Sequence, residues 1–241
     1  MSLTSLLIRL LSGNVAIGTA TGFIVQKGSS YYLVTNWHVV TDKNPDTGAS
    51  LDSLQRTPDR LQILQNAKGR LGEWHWVTEE LFDATHAPRW KEHSATNKRV
   101  DVVLLPLASV ADVDFYPLDL KLRDTPIKVS PAAQISVVGF RYGEASFEGL
   151  PIWKSGSVAS DPDIDYGNSP QFLIDATGRP GMSGSPVYAI RTSGYQEEDG
   201  DIMMAPGRKF LGVYAGDIDQ TSEVGRVWKA SALMEIYDRL P

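Results

Sequence analysis

Short apolar runs rich in β-branched and aromatic residues recur along this chain, and clusters of glycine, proline, aspartate and asparagine separate them. Runs of this length and composition are typical of β-strands joined by turns. A first set of runs covers residues 15–25, 30–35, 61–65 and 100–107. A second set covers residues 127–130, 134–140, 152–160, 172–176, 185–190, 209–214 and 225–230. The pattern therefore predicts an all-β protein.

Charge and proline content rise between the two sets, over residues 117–125, so we expect a domain boundary near residue 115. Residues 1–115 are predicted to form one β-barrel and residues 116–241 a second one, packed together as a single unit. The end of the chain differs, because apolar side chains in residues 231–240 recur at helical spacing. A single α-helix is therefore predicted to close the chain.

The composition argues against several classes of protein. The 241 residues include no cysteine, which removes disulfides, thiolate metal ligands and cysteine nucleophiles. No stretch approaches the roughly 18 consecutive apolar residues of a membrane-spanning helix, and Arg9 interrupts the apolar start of the chain, which we interpret as a first strand. With a net charge of -6 and no basic stripe, a nucleic-acid partner is not expected. We expect a cytoplasmic protein without membrane association.

A glycine-rich turn between two apolar runs carries the first candidate for chemistry. Its sequence is Gly181-Met182-Ser183-Gly184-Ser185-Pro186. A serine nucleophile needs an exposed hydroxyl on a sharp turn and backbone N–H groups directed at the oxyanion that forms on attack. Ser183 fits that requirement, although a turn of glycine and serine also joins strands in many β proteins.

One of the four histidines has a setting suited to a general base. His38 follows the strand-like run 30–35 and has apolar neighbours, so its ring can be packed and still reach a cleft. A histidine among apolar residues is also a common core residue. The others, His75, His86 and His93, lack such a setting, and His86 and His93 lie in a charged loop without a metal-ligand pattern. No metal ion or cofactor is expected.

Asp101 stands at the head of the apolar run Val102-Val103-Leu104-Leu105. A carboxylate in that position loses water unless another group donates a hydrogen bond to it. The imidazole N–H of His38 is a suitable donor, because a buried carboxylate fixes the useful tautomer and stabilises the imidazolium. A turn residue preceding a strand is the alternative interpretation.

The three segments together resemble the chymotrypsin-fold serine peptidases, in which the same residues occur in the order His, Asp, Ser. Residues 35–39 are similar to the Thr-Ala-Ala-His segment of that family, and residues 101–105 to its Asp-hydrophobic-Ala-Leu-Leu segment. Residues 181–186 resemble its Gly-Asp-Ser-Gly-Gly-Pro segment. The resemblance implies two packed six-stranded antiparallel β-barrels followed by a helix.

The same resemblance assigns roles to individual residues of a serine endopeptidase. It implies a catalytic triad of His38, Asp101 and Ser183, and an oxyanion hole formed by the N–H groups of Gly181 and Ser183. It implies protein or peptide substrates. The specificity pocket is expected to be lined by Thr177, Gly178, Tyr214, Ala215 and Gly216. Thr177 stands where digestive trypsins carry Asp, so we expect a small or medium apolar residue before the cleaved bond, unless Asp175 or Asp217 restores a basic preference.

Two departures bring the chain closer to bacterial Deg-type and related intracellular trypsin-like peptidases. Met182 stands where digestive members have the Asp that pairs with a newly released N-terminus, so activation of that kind is not expected. Ser185 replaces the second glycine of the motif. In such enzymes a substrate or an activating partner protein can order the oxyanion loop. The resemblance implies that the oxyanion loop of this chain can be ordered in the same way.

Alternative functions remain open at this point. A catalytically latent or inactive trypsin-like module that binds peptides or a partner protein would carry the same three segments. A scaffolding protein is a more distant alternative. An α/β-hydrolase esterase is disfavoured, because Ser185 occupies the place of the second glycine of the Gly-x-Ser-x-Gly elbow and no histidine follows Ser183.

Overall fold

The computed structural model describes residues 1–94, 100–218 and 222–241. The first group of strands is β1 (Ser5–Ser12), β2 (Val15–Lys27), β3 (Ser30–Thr35), β4 (Arg60–Ala67), β5 (Trp74–Glu80), β6 (Lys91–Glu92), β7 (Val103–Pro106) and β8 (Val113–Asp114). The second group is β9 (Gln134–Gly139), β10 (Ile152–Val158), β11 (Gln171–Asp175), β12 (Pro186–Arg191), β13 (Tyr195–Gln196), β14 (Ile202–Met203), β15 (Gly207–Asp217) and β16 (Val224–Lys229). The α-helices are α1 (Trp37–Thr41) and α2 (Ala230–Asp238), and short 3-10 helices cover Leu120–Asp124, Arg141–Gly143 and Tyr166–Asn168.

The strands form two main antiparallel sheets. The first runs in the order β5-β4-β1-β2-β3-β7-β6, with β8 paired to β4, and the second is a closed barrel in the order β10-β11-β16-β15-β12-β9. The predicted all-β class is therefore confirmed. The described strands of the first group number eight rather than six, because the two-residue strands β6 and β8 add to its margins.

Strands β2 and β3 bury both of their faces. Ile24 and Leu33 point into the interior of the first sheet, where they meet Ile8 and Ile63. Their sequence neighbours point the other way, toward the second barrel and helix α2, and belong to a cluster that includes Phe23, Val25, Val34, Val213, Trp228 and Leu233. Strands covered on both faces need continuous apolar runs rather than alternation. This burial explains why these two segments were predictable.

Helix α2 is fixed against the first group of strands at the end of the chain. Lys27 on β2 donates hydrogen bonds from Nζ to the backbone carbonyls of Tyr237 and Leu240, at 2.9 and 2.6 Å. A cation at these carbonyls complements the negative end of the helix. Although α2 follows the second barrel in sequence, it thus also holds the two groups of strands together. Within the described residues, no helix is long and apolar enough to cross a membrane.

One strand prediction was wrong, and one seven-residue strand was missed. Residues 127–130 contain no strand, and only an isolated bridge joins Ile127 to Glu197. Ile127 is fully buried, so its run of apolar character reflects packing of a connecting segment. Strand β5 was missed, because its outer-edge position leaves most of its residues partly exposed and removes the apolar signal.

Candidate active site

Asp101 and His38 form a buried, hydrogen-bonded pair. Asp101 is 1% exposed and lies just before β7, while His38 is the second residue of the one-turn helix α1 that directly follows β3. Asp101 Oδ2 lies 2.7 Å from His38 Nδ1, and Oδ1 accepts a hydrogen bond from the His38 backbone N–H at 2.9 Å. The carboxylate therefore binds both the ring and the backbone of the same residue, which fixes the orientation of the imidazole.

Asn36 provides a further link between the two segments. It is fully buried, and its Nδ2 donates to the backbone carbonyl of Asp101 at 2.6 Å. Because β3 and β7 are paired through Thr35 and Val103, the residues that follow β3 and precede β7 meet at one end of the sheet. From the sequence, we expect His38 at the end of a strand. The structure places it one short turn later, in a helix that begins after Asn36.

Ser183 lies on a compact turn whose backbone is fixed by its glycines. Pro180 and Gly181 occupy the central positions of a turn closed by a hydrogen bond from Met182 N–H to Arg179 O at 3.1 Å. Gly181 has φ +95°, and a Cβ atom there would lie 2.2 Å from the carbonyl oxygen of Phe140. Proline followed by a residue with positive φ is the arrangement of a type II turn, in which glycine is strongly preferred at the second position.

The peptide between Pro180 and Gly181 has a defined direction. Its carbonyl accepts a hydrogen bond from Tyr142 N–H at 2.6 Å. Since N–H and C=O of a trans peptide point in opposite directions, the Gly181 N–H is directed away from Tyr142. Among the described residues, neither Gly181 N–H nor Ser183 N–H donates to a protein acceptor. Both N–H groups are therefore available for a ligand.

Thr21, a fully buried residue on β2 of the first sheet, holds the turn in place. Its backbone N–H donates to Ser183 O at 2.8 Å, and its hydroxyl donates to Gly181 O at 2.8 Å. The same hydroxyl accepts from Phe140 N–H at 3.0 Å. The sequence analysis missed this role, because a β-branched residue in a strand is expected for packing alone. Its place directly before the Gly22-Phe23 pair is the signal that points to it.

Met182 and Ser185, the two departures from the family motif, are both buried in the structure. Met182 is 1% exposed and packs in the interior of the second barrel, so no carboxylate lies there to pair with a chain terminus. Ser185 is fully buried, and its Oγ donates to Met182 O at 2.6 Å. Gly139 leaves room for that hydroxyl, since a Cβ atom at residue 139 would lie 1.9 Å from it.

His38 and Ser183 line one open cleft of about 540 Å³. Of the residues expected in the specificity pocket, Gly178, Tyr214, Ala215 and Gly216 line it as well, whereas Thr177 does not. Across the described residues, no hydrogen bond joins the His38 ring to the Ser183 hydroxyl. Such bonds often shorten only when a substrate is bound.

Of the two carboxylates considered for a basic preference, only Asp217 lines the cleft, while Asp175 is exposed on β11. Asp217 Oδ1 accepts hydrogen bonds from Tyr214 Oη at 2.7 Å and from Gly178 N–H at 3.0 Å. Burial raises the pKa of the Tyr214 hydroxyl, and its bond to Asp217 raises it further. The hydroxyl therefore remains a donor at neutral pH.

The loop after His38, residues 42–57, forms another wall of the cleft through Asn44, Pro45 and Leu51. Asp42 closes it, because its Oδ2 accepts from Ser50 Oγ at 3.0 Å and from Asp52 N–H at 2.7 Å. Farther along, the Arg56 guanidinium holds the pKa of the Asp52 carboxyl well below its usual range.

An ion pair connects this loop to the second barrel. Asp46 Oδ2 lies 2.9 Å from Arg226 Nη1 on β16, and Arg226 also lines the cleft. The loop thus reaches across from the first sheet to the wall opposite. Nothing in the sequence linked these two residues, which are 180 positions apart.

The remaining histidines lie away from this cleft. His93 Nε2 lies 2.7 Å from Glu235 Oε2 on α2, His75 is part of the edge strand β5, and His86 is exposed with φ +61°. In the part of the chain that the structure describes, no group of three or more His, Asp or Glu residues is arranged to hold a metal ion.

Comparison with known proteins agrees with this architecture. The sequence profile of the trypsin-like peptidase domain matches residues 20–193. The chain therefore belongs to the trypsin-like peptidase family, and its fold is chymotrypsin-like, as the resemblance implied. A search of curated proteins found no match.

Solved structures of serine proteases share the fold. A serine endoprotease from Yersinia pestis has a TM-score of 0.56 at 11% identity, with 99% of this chain covered. This chain spans 62% of the length of that protein. The active form of the Rv3671c protease from M. tuberculosis has a TM-score of 0.50 at 17% identity, covering 99% of this chain and 81% of that one. At these identities the likeness shows the fold alone.

Proposed function

We propose that this protein is a serine endopeptidase in which Ser183, His38 and Asp101 form the catalytic triad. The buried Asp101 carboxylate carries this proposal, because it binds both the backbone and Nδ1 of His38 in the cleft that also contains Ser183. With a hydrogen bond to the carboxylate, Nδ1 keeps its proton, and Nε2 is left free to accept one. Membership of the peptidase family supports the same function.

The proposed reaction proceeds in two halves. Ser183 Oγ attacks the carbonyl carbon of the substrate peptide, and its proton moves to His38 Nε2. The resulting oxyanion accepts hydrogen bonds from the N–H groups of Gly181 and Ser183. His38 then gives its proton to the departing amine as the C–N bond breaks, which leaves an acyl ester on Ser183. A water molecule, deprotonated by His38, hydrolyses that ester and releases the acid.

A peptide-binding module without catalysis is the alternative, and covalent labelling distinguishes the two. The experiment treats the protein with a fluorophosphonate, which reacts with activated serines, and locates the modified residue by peptide mass mapping. We expect labelling of Ser183 in the wild type, none in Ser183→Ala, and wild-type labelling in Ser193→Ala, which removes an exposed hydroxyl elsewhere. Turnover of a peptide library should follow the same order.

Two results would contradict the proposal. Unchanged turnover or labelling in Ser183→Ala would remove Ser183 from the nucleophile role. Failure of the wild-type protein to react, combined with retained binding of peptides, would favour the binding module. We also propose that an activating partner protein can order the oxyanion loop and that the enzyme acts in the cytoplasm, which addition of cell extract and localisation of a tagged chain would test.

A further inference from the structure

The Tyr214 side chain fills the part of the second barrel that lies beside the cleft. Tyr214 is 2% exposed and packs among the interior residues Ile174, Val187 and Val227. Tyr214 nonetheless lines the cleft that contains Ser183, and its hydroxyl donates to Asp217, which lines the same cleft. A ring in this position occupies space that a substrate side chain would need in order to enter the barrel.

Two glycines on opposite sides of the ring mark how completely that space is filled. A Cβ atom on Gly178 would lie 1.6 Å from Tyr214 Oη. A Cβ atom on Gly225, in β16, would lie 2.6 Å from Cε2 of the same ring. The ring therefore packs closely against both the segment before the nucleophile turn and β16, with no room for a side chain at either position.

Asp217 fixes the ring in place. Its Oδ1 accepts from both Tyr214 Oη and Gly178 N–H, so the phenol, the carboxylate and the segment before the nucleophile turn form one hydrogen-bonded unit. Swinging the ring out of the barrel would break the hydrogen bond to Asp217 and leave a cavity behind it, and both changes cost free energy. The ring is thus a permanent wall of the cleft.

We propose that Tyr214 closes the specificity pocket, with Asp217 as its anchor, so that the enzyme cleaves after small uncharged residues such as alanine and serine. This inference rests on the proposed function. Ala215 and Gly216, which have little or no side chain, line the same cleft as Ser183 and leave room there for a small substrate side chain. The pocket is then too shallow for the side chain of leucine, phenylalanine or lysine. An acidic side chain would be repelled by the Asp217 carboxylate.

A peptide series that differs only in the residue before the cleaved bond tests the proposal. The series contains Ala, Leu, Phe, Lys or Glu at that position, and kcat/KM is measured with enzyme concentration set by fluorophosphonate titration. For the wild type we expect kcat/KM for Ala to exceed the values for the other four by about 100-fold or more. Tyr214→Val should raise kcat/KM for Leu and Phe by about 10-fold or more.

Two further variants separate the ring from its hydroxyl and from general loss of packing. Tyr214→Phe keeps the ring but loses the hydrogen bond to Asp217, so it should retain the preference for Ala with a smaller ratio over Leu and Phe than the wild type shows. Tyr188→Val removes an equally buried tyrosine that packs between the two groups of strands, away from the cleft, and should leave the order of preference unchanged. Should Tyr214→Val fail to fold, the wild-type and Tyr214→Phe profiles still decide the question.

The outcomes distinguish failure of this inference from failure of the proposed function. Ser183 labelling together with efficient cleavage after Leu or Phe would overturn the closed pocket and leave the peptidase intact. Fastest cleavage after Lys would also overturn it, because Asp217 would then bind the substrate instead of anchoring the ring. Absence of labelling both without and with added cell extract would overturn the proposed function, and this inference with it.

Discussion

Two segments border the cleft and are built in opposite ways. The nucleophile turn, residues 179–185, is held chiefly by hydrogen bonds to the buried Thr21 and by the backbone N–H of Tyr142, whose side chain is exposed. The loop after His38, residues 42–57, is largely exposed and is held by carboxylates, with Asp42 closing it and Asp46 reaching Arg226. Both segments line the same cleft, but only the nucleophile turn depends on hydrogen bonds of buried backbone groups.

This difference predicts which of the two segments tolerates amino-acid substitution. A buried carbonyl or N–H that loses its partner costs about 1–3 kcal/mol, whereas an exposed ion pair contributes about 0–1 kcal/mol. Substitutions in the nucleophile turn are therefore expected to affect folding and catalysis together. Substitutions in the loop are expected to affect substrate binding while the fold survives.

Gly184→Ala should have the largest effect. Gly184 has φ +86°, and an added Cβ atom would lie 2.0 Å from the carbonyl oxygen of Thr21. We expect the variant to be unfolded, or to lose about 4 kcal/mol or more of unfolding free energy, measured by chemical denaturation. Gly69→Ala is the matched control, because Gly69 has φ +68° with no atom within 4 Å of the added Cβ and should cost only about 1–2 kcal/mol. Equal losses in the two variants would contradict the role of the contact with Thr21.

Thr21→Val should come next, with effects on both stability and rate. Valine has nearly the same shape, but Gly181 O and Phe140 N–H lose their buried partner. We expect a loss of about 2–4 kcal/mol in stability and a fall of about 10- to 100-fold in kcat, since the oxyanion donors shift. Thr21→Ser, which restores the hydroxyl, should recover most of both. A wild-type kcat in Thr21→Val would show that the turn keeps its position without the Thr21 hydroxyl.

Asp42→Ala tests how much the loop depends on its closing carboxylate. The change removes the acceptor for Ser50 Oγ and Asp52 N–H and places alanine at φ +56°, so residues 43–57 should exchange backbone protons faster. Stability should fall by about 1–3 kcal/mol, less than in Thr21→Val. Asn at residue 42 keeps a hydrogen-bond acceptor and tolerates the left-handed conformation. The stability and hydrogen exchange of Asp42→Asn should therefore lie between those of the wild type and Asp42→Ala. Unaltered hydrogen exchange in Asp42→Ala would contradict the closing role.

Asp46→Asn should have the smallest effect. The carboxylate is 41% exposed, and its ion pair with Arg226 is screened by salt, so stability should change by less than about 1 kcal/mol. We expect KM to change by about threefold or less at low salt and to match the wild type at 0.5 M salt, since the loop is held less firmly to the opposite wall. Glu73→Gln, which breaks the exposed pair with Arg70, should leave KM unchanged at both salt concentrations. A salt-independent change in KM would point to a contact of Asp46 with substrate instead.

Elements with buried surfaces could be predicted from the sequence, and elements at the edges could not. β2 and β3 carry continuous apolar runs because both of their faces are covered, and the helix at the end of the chain has a clear helical spacing. Strand β5 is only half covered and lacks an apolar pattern, whereas the buried Ile127 gives residues 127–130 a strand-like pattern although only a single bridge forms there. The triad and oxyanion assignments stay predictions until labelling tests them.

Short segments of the sequence are enough to identify the residues with the chemistry for this site. They are a serine in a glycine-rich turn, a histidine after an apolar strand and a carboxylate before another apolar strand. Local side-chain type and backbone requirement are properties of short segments, so they can be read from the order of residues. Only the tertiary structure decided that Thr21 holds the nucleophile turn, that Asp46 reaches Arg226 and that Tyr214 fills the barrel beside Ser183. These contacts join residues far apart in the chain, and which side chain fills a given space depends on how the first sheet and the closed second barrel pack together.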